Sequence, residues 1–217
     1  MVKIERTPEA PVSLAIEKEK ANGKYNLLDV VDLLYHDFHE KCYLCEIDKL
    51  QSSEVEHLNP HHNGLYKDRK FDWHNLFLSC RHCNAVKNQS KYDENVLDCC
   101  QTDPETIVMQ ELIEGHVRVT PLNNSAEANT TAMLITECFE LTNTGIRTKE
   151  CEVRLKALQR VFTVLCTQLE RYRANKSTQT ERTLRGMLDR SYKFAGFTRT
   201  YVRTHIEEYP ELAQYVA

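Results

Sequence analysis

A helix-rich α+β fold is predicted by three features of the 217-residue sequence. Glycine and proline number only six each, about half their usual share, which favours helix. Apolar residues recur at three-to-four spacing through 25–40, 131–141, 149–173, 180–193 and 198–208, the period of an amphipathic helix. Shorter runs, Glu54 to Leu58 and the alternating His116-Val117-Arg118-Val119, have the length of strands.

Residues 1–24 contain Pro8, Pro11 and a charged KEKANGK stretch and read as an N-terminal arm closed by a turn at Asn22-Gly23. Leu28, Val31, Leu34, Tyr35 and Phe38 then define a helix over 25–40 that leads into Cys42. A strand at Glu54 to Leu58 is followed by a polar loop over 59–72, an ordered piece from Trp73 to Leu78, and a short helix from Asn84. A turn at Asp103-Pro104 precedes the strand or hairpin around 116–119. The strongest helix runs from Lys149 to Arg173, with Leu155, Leu158, Phe162, Leu165, Leu169 and Tyr172 on one face. The expected organisation is an arm (1–24), a core (25–100), a mixed connecting region (101–149) and a C-terminal helical region (150–217).

Composition excludes several classes. With 41% hydrophobic and 28% charged residues the chain is too apolar for disorder. No run free of Asp, Glu, Lys and Arg exceeds ten residues, so no membrane-spanning helix is expected. The N-terminus lacks the apolar core of a secretory signal, and a cytoplasmic chain is expected. No G-x4-G-K-[ST] occurs, so nucleotide binding through a P-loop is not expected of this chain. The net charge of −4 hides an asymmetry: 150–217 carries 12 basic against 8 acidic groups. Its basic set includes Arg182, Arg185, Arg190, Lys193, Arg199 and Arg203. Phosphate contact, an interface with an acidic partner and a solvated helix face all remain open for it.

Nine cysteines without a signal argue against a disulfide framework. Four of them form two C-x2-C pairs, Cys42 with Cys45 and Cys80 with Cys83. A tetrahedral zinc takes four thiolates, two from each such knuckle. The gap from Cys45 to Cys80 is 34 residues, longer than the roughly 15–20 of a simple ribbon. It therefore holds a further unit, and that unit contains Glu56-His57 and Asn75, with Asn84 directly after the last cysteine.

Cys42-x2-Cys45, Glu56-His57, Trp73-His74-Asn75-Leu76, Cys80-x2-Cys83-Asn84 and Lys87 together resemble an HNH nuclease. The resemblance implies a ββα-metal motif braced by structural Zn2+. The last His of the signature is Asn84 here, an arrangement similar to that of phage recombination endonuclease VII. VEHLNP, DWHNLFLSCRHCNAVK, YDENVLD and DPE are more narrowly similar to PtuB, the HNH subunit of Septu antiphage systems, over about residues 25–110. That similarity implies an ABC-type ATPase partner (PtuA-like). In retron-associated versions it also implies a reverse transcriptase and its non-coding RNA and DNA, reached through the ATPase.

Phosphodiester hydrolysis needs a deprotonated water and a charge sink on the phosphate oxygens. His57 has a suitable side chain to accept the proton, while Glu56 and Asn84 offer the hard oxygen ligands preferred by Mg2+ or Mn2+. Neighbouring strand residues point to opposite faces, so Glu56 and His57 are expected to need a bend near Asn59-Pro60 to act together. By the resemblance, Asn75 ties the intervening loop and orients His57; as a plain residue it would cap a turn. Lys87 either meets a phosphate or is a solvent lysine. The expected function is a metal-dependent endonuclease acting on DNA or RNA, including tRNA. The alternative is a non-catalytic zinc module that binds nucleic acid or a partner, which would have no use for Glu56, His57 and Asn84 in one gap.

Overall fold

The computed structural model describes residues 1–50 and 52–217. Helix α1 (Val12–Lys18) and helix α2 (Leu28–Asp37) precede strand β1 (Ser53–His57). A short helix α3 (Lys67–Phe71) interrupts the expected polar loop, and strand β2 (Leu76–Cys80) runs straight into helix α4 (Arg81–Lys87). Strands β3 (Val108–Ile113) and β4 (His116–Pro121) are followed by helix α5 (Ala126–Glu140). The chain ends in α6 (Gly145–Ala174), α7 (Thr178–Leu188), α8 (Ala195–Thr204) and a single turn, α9 (Ala213–Val216). The architecture is helix-rich α+β, and among the described residues no helix is long and apolar enough to cross a membrane.

Each sheet is a two-stranded antiparallel pair followed by a helix. β1 pairs with β2 in a regular register from Ser53↔Cys80 to His57↔Leu76, then α4 folds back over the pair. β3 and β4 form a hairpin in which Ile113 faces His116, closed by Glu114 and Gly115, both at positive φ. Isolated two-stranded sheets are marginal in water; here α5 lies against β4, α8 against β3, and α6 against α5 and α7. Apolar side chains from Met1 to Val216 form one core, so the regions expected as separate segments are interlocked.

Helices α5, α6 and α7 start earlier than periodicity alone suggests because side-chain caps set them. Ser125, Thr144 and Ser177 accept hydrogen bonds from the amides of Ala128, Arg147 and Thr180 at the starts of α5, α6 and α7. The buried stripe of α6 contains Leu158, Phe162, Leu165, Leu169 and Tyr172, and Cys151 and Arg154 continue it towards the N-terminus. On α2 the buried face is Val30 and Leu34, continued by Phe38 just past the helix; Leu28 is exposed.

The expected arm is replaced by a strap threaded into the core. Met1, Val2 and Ile4 are buried, and the Ile4 amide donates to the Cys99 carbonyl at 3.0 Å. The Arg6 guanidinium lies 4.7–5.3 Å from the ring centroids of Phe38, Trp73 and Phe77 and donates to the carbonyls of Trp73 and Leu76. Thr7 binds Asp37 through its amide and hydroxyl, both at 2.8 Å, and its carbonyl accepts from the Trp73 indole at 2.8 Å. Proline and charge counts cannot register such contacts, which join residues 30 to 95 positions apart. At Gly23 a Cβ would meet the Glu17 carbonyl oxygen at 1.8 Å, so only glycine lets the chain pass there.

Arg6→Ala removes the aromatic contacts and both carbonyl bonds. A loss of about 2–4 kcal/mol is expected, read from the urea midpoint with zinc content unchanged. A loss within the few tenths typical of surface sites would show that the strap is not held by Arg6.

Candidate active site and metal centre

Cys42 and Cys45 lie on the tight turn after α2, where the Glu46 amide donates to the Cys42 carbonyl at 2.9 Å. Cys80 ends β2 and caps α4, its Sγ accepting from the Cys83 amide at 3.4 Å. The two knuckles meet: all four Sγ atoms are buried and lie within 4.8 Å of one another. Cys45 and Cys80 are 4.0 Å apart at sulfur, far beyond a disulfide bond and close to the roughly 3.8 Å edge of a ZnS4 tetrahedron with bonds of about 2.3 Å. The donor set suits Zn2+, and four thiolates leave no position for water.

Four thiolates around Zn2+ carry a net negative charge, and α6 supplies a counter-charge. Arg154, buried on the helix's apolar stripe, donates from Nη2 to Cys80 Sγ at 3.1 Å and is itself held by the Glu150 carboxylate at 2.8 Å. Hydrogen bonds from the other three thiols, with help from the Arg154 charge, push the Cys80 thiol well down despite burial. His82 does not reach a zinc thiolate. Its Nε2–H donates to the Cys138 carbonyl at 3.1 Å, and burial pushes its pKa down.

Beside this centre, an open cleft of about 400 Å3 runs along the edge of β1 that has no strand partner among the described residues. Glu56, His57, Asn84 and Lys87 all border it. No bend in β1 is needed: the ladder stays regular to His57, and along a free edge the side chains of both faces reach the same space. Glu56 is buried; its Oε1 lies 2.6 Å from Lys87 Nζ and its Oε2 accepts from the Tyr43 hydroxyl at 2.8 Å. Burial, followed by the Glu56 charge, pushes the Tyr43 phenol well up.

Lys87 is neither a solvent lysine nor free for phosphate. It is 4% exposed, and its ammonium also donates to the carbonyls of His57 at 3.0 Å and Leu58 at 2.9 Å, which uses all three protons. His57 Nε2 lies 3.1 Å from the Lys70 carbonyl. A carbonyl only accepts, so the proton is on Nε2 and the lone pair is on Nδ1. Burial pushes His57 down to about 4, the Lys70 carbonyl opposes this, and the charges of His61, Lys87 and Lys70 add to it. The ring is therefore neutral at pH 7. Tyr25 and His61 meet it edge-on, each at 4.5 Å between centroids.

Asn75 is a satisfied loop staple behind the cleft. Its Oδ1 accepts from the Asn59 amide at 2.8 Å, and its Nδ2 donates to the carbonyls of Asn59 and Arg69, both at 2.9 Å. Asn84 is not opposite Glu56 in hydrogen-bonding terms; its Nδ2 donates to Glu54. Of the C-terminal arginines, Arg190 lies 2.5 Å from Asp103 and 3.1 Å from Glu105, with Arg199 and Arg203 on the same Glu105. Arg190 is thus engaged within the chain, whereas Arg182 and Arg185 are exposed on α7 and do not line the cleft.

Sequence reasoning passed over Tyr43, Glu54 and Arg154. Two signals existed: Glu54 is two residues before Glu56 and so shares its strand face, and Arg154 is one helical turn before Leu158, on an otherwise apolar stripe. Tyr43 had none beyond lying inside the first knuckle.

Cys42→Ser or Cys80→Ser is expected to lose zinc and much of the soluble folded protein, because structural zinc contributes folding free energy directly. Arg154→Met leaves the ligands intact and is expected to weaken zinc about 10–100-fold, measured by competition with a chromogenic chelator. Unchanged affinity in Arg154→Met would rule out its role as counter-charge.

No family model matches the chain, and no curated protein matches it.

Proposed function

We propose that the chain is a metal-dependent HNH-type endonuclease that hydrolyses nucleic-acid phosphodiester bonds. The observation that carries this reading is the convergence of a neutral His57 with its lone pair on Nδ1, the Glu56 carboxylate and the Asn84 amide on one cleft beside the four-cysteine centre. A non-catalytic zinc module gives no account of that convergence.

His57 Nδ1 would accept the proton of the attacking water, with the Nε2–H bond to the Lys70 carbonyl fixing ring and tautomer. Asn75 ties residues 59 and 69 together and so holds the loop that supplies that carbonyl. Lys87 clamps the end of β1 and keeps Glu56 in place; the reading gives it a positioning role in place of a phosphate contact. Glu56 retains a second lone pair on each oxygen, and Asn84 Oδ1 has no intramolecular hydrogen bond among the described residues. This hard oxygen set would hold Mg2+ or Mn2+, which when bound supplies a Lewis acid for the phosphate and leaving oxygens. In this reading the zinc is structural.

The resemblance of 25–110 to PtuB extends the proposal to the effector nuclease of a Septu-like antiphage complex, with a PtuA-like ATPase supplying the P-loop that this sequence lacks. A retron reverse transcriptase with its non-coding RNA and DNA would join through that ATPase. DNA and RNA, tRNA included, are both admitted as substrates.

His57→Ala is expected to lower cleavage by about 10²–10⁴-fold with zinc content and fold retained. The assay is the zinc-loaded chain, alone and with its ATPase, incubated with DNA and total RNA plus Mg2+ or Mn2+. Wild-type cleavage by the variant would remove the base assignment. Reversing Arg182 and Arg185 to Glu is expected to abolish co-purification with the ATPase while intrinsic cleavage persists. If the complex survives and nucleic-acid binding instead weakens with a flatter salt dependence, α7 belongs to the substrate.

A further inference from the structure

We infer that Glu54 is a positioning residue that fixes which end of the Asn84 amide faces the cleft. The inference rests on the metal-dependent reading above. Glu54 and Glu56 share one face of β1, opposite Ser79 and Phe77 respectively on β2. Helix α4 packs over that strand pair and carries Asn84 to Glu54, where Nδ2 donates to Oε2. The direction of this bond is forced by chemistry. A carboxylate has lone pairs and no proton to give, so the amide turns its NH2 towards it. The two ends of a planar amide point apart, so Oδ1 is directed away from Glu54.

The surroundings separate the two roles. Asn84 borders both the main cleft and an adjoining one of about 330 Å3, whereas Glu54 borders only the latter. Glu54 therefore does not line the space that holds Glu56, His57 and Lys87. It acts through Asn84. Released from Glu54, the amide is free to rotate by half a turn and present its NH2, a donor that repels a cation. The carboxylate thus converts an ambivalent side chain into a committed oxygen donor, as hydrogen-bond partners of metal ligands do generally.

The test uses the full zinc-loaded chain without substrate and reads Mn2+ binding from the loss of the free-Mn2+ EPR signal. Glu54→Met is expected to bind Mn2+ about 10–100-fold more weakly with zinc content unchanged. The pair Glu54→Gln with Asn84→Asp reverses the polarity of the bond, the Gln amide donating to Asp, and is expected to restore at least wild-type affinity. Because the pair is isosteric, it carries the test even if Glu54→Met fails to fold. Wild-type affinity in Glu54→Met, or no recovery in the swapped pair, overturns the positioning role. No Mn2+ binding by the wild type overturns the metal-dependent reading and this assignment with it, so the two failures are distinguishable.

Discussion

The meeting of Cys42, Cys45, Cys80 and Cys83 is the constraint on which the rest of the arrangement depends. Two strands joined by a long excursion do not hold a register unaided, and β1 and β2 are linked by 18 residues of loop, short helix and turn. The knuckles fix both ends of this unit. One sits on the turn between α2 and β1, the other at the junction of β2 with α4. Pinning that junction sets the direction in which α4 leaves the strand, and hence where Asn84 and Lys87 fall relative to Glu54 and Glu56. Arg154 then ties α6 to the same centre, so the C-terminal helices brace the metal site from behind.

A second constraint is the buried pair of Glu56 and Lys87, each 4% exposed. Such pairs contribute little net stability compared with apolar replacements, yet breaking one by removing a single partner costs about 3–5 kcal/mol. Their value here is geometric. Lys87 takes Glu56 and the carbonyls of His57 and Leu58 at once, while Tyr43 holds the other carboxylate oxygen. The end of β1 is thereby fixed by side chains from two separate elements, and the cleft keeps its shape along an otherwise unpaired edge.

What was legible in the sequence follows from the range of each interaction. The cysteine knuckles repeat at i and i+3, and the long helices repeat at three to four residues, so both are written in local spacing. Glu56, His57 and Asn84 stood out because they fall inside or directly beside one cysteine frame, and the cleft does bring them together. Asn84 meeting Glu54 joins residues 30 positions apart, and Arg154 meeting Cys80 joins residues 74 apart; no spacing rule reaches that far. The N-terminal strap was misread for the same reason. Its prolines and charges describe the local chain, while its structure is decided by three aromatic rings contributed by distant elements.

The C-terminal charge shows that a count along the chain does not say where the charges point. Residues 150–217 do carry the basic excess, but Arg154, Arg190, Arg199 and Arg203 are bound to buried groups of the same chain. Glu105, itself buried, draws in Arg190, Arg199 and Arg203, and Arg199 also caps the carbonyls of Leu188, Tyr215 and Ala217. A carboxylate taken out of water is costly unless paired, and three guanidiniums make this one a junction between the connecting region and α8. Lys41 similarly donates to the carbonyls of Arg190 and Tyr192, tying the first knuckle to the segment between α7 and α8. Other basic residues of 150–217, Arg160 and Arg171 on α6 and Arg182 and Arg185 on α7, stay exposed and form no ion pair among the described residues. Counting charges along the chain cannot separate these two populations, because the difference lies in where Asp103 and Glu105 fold.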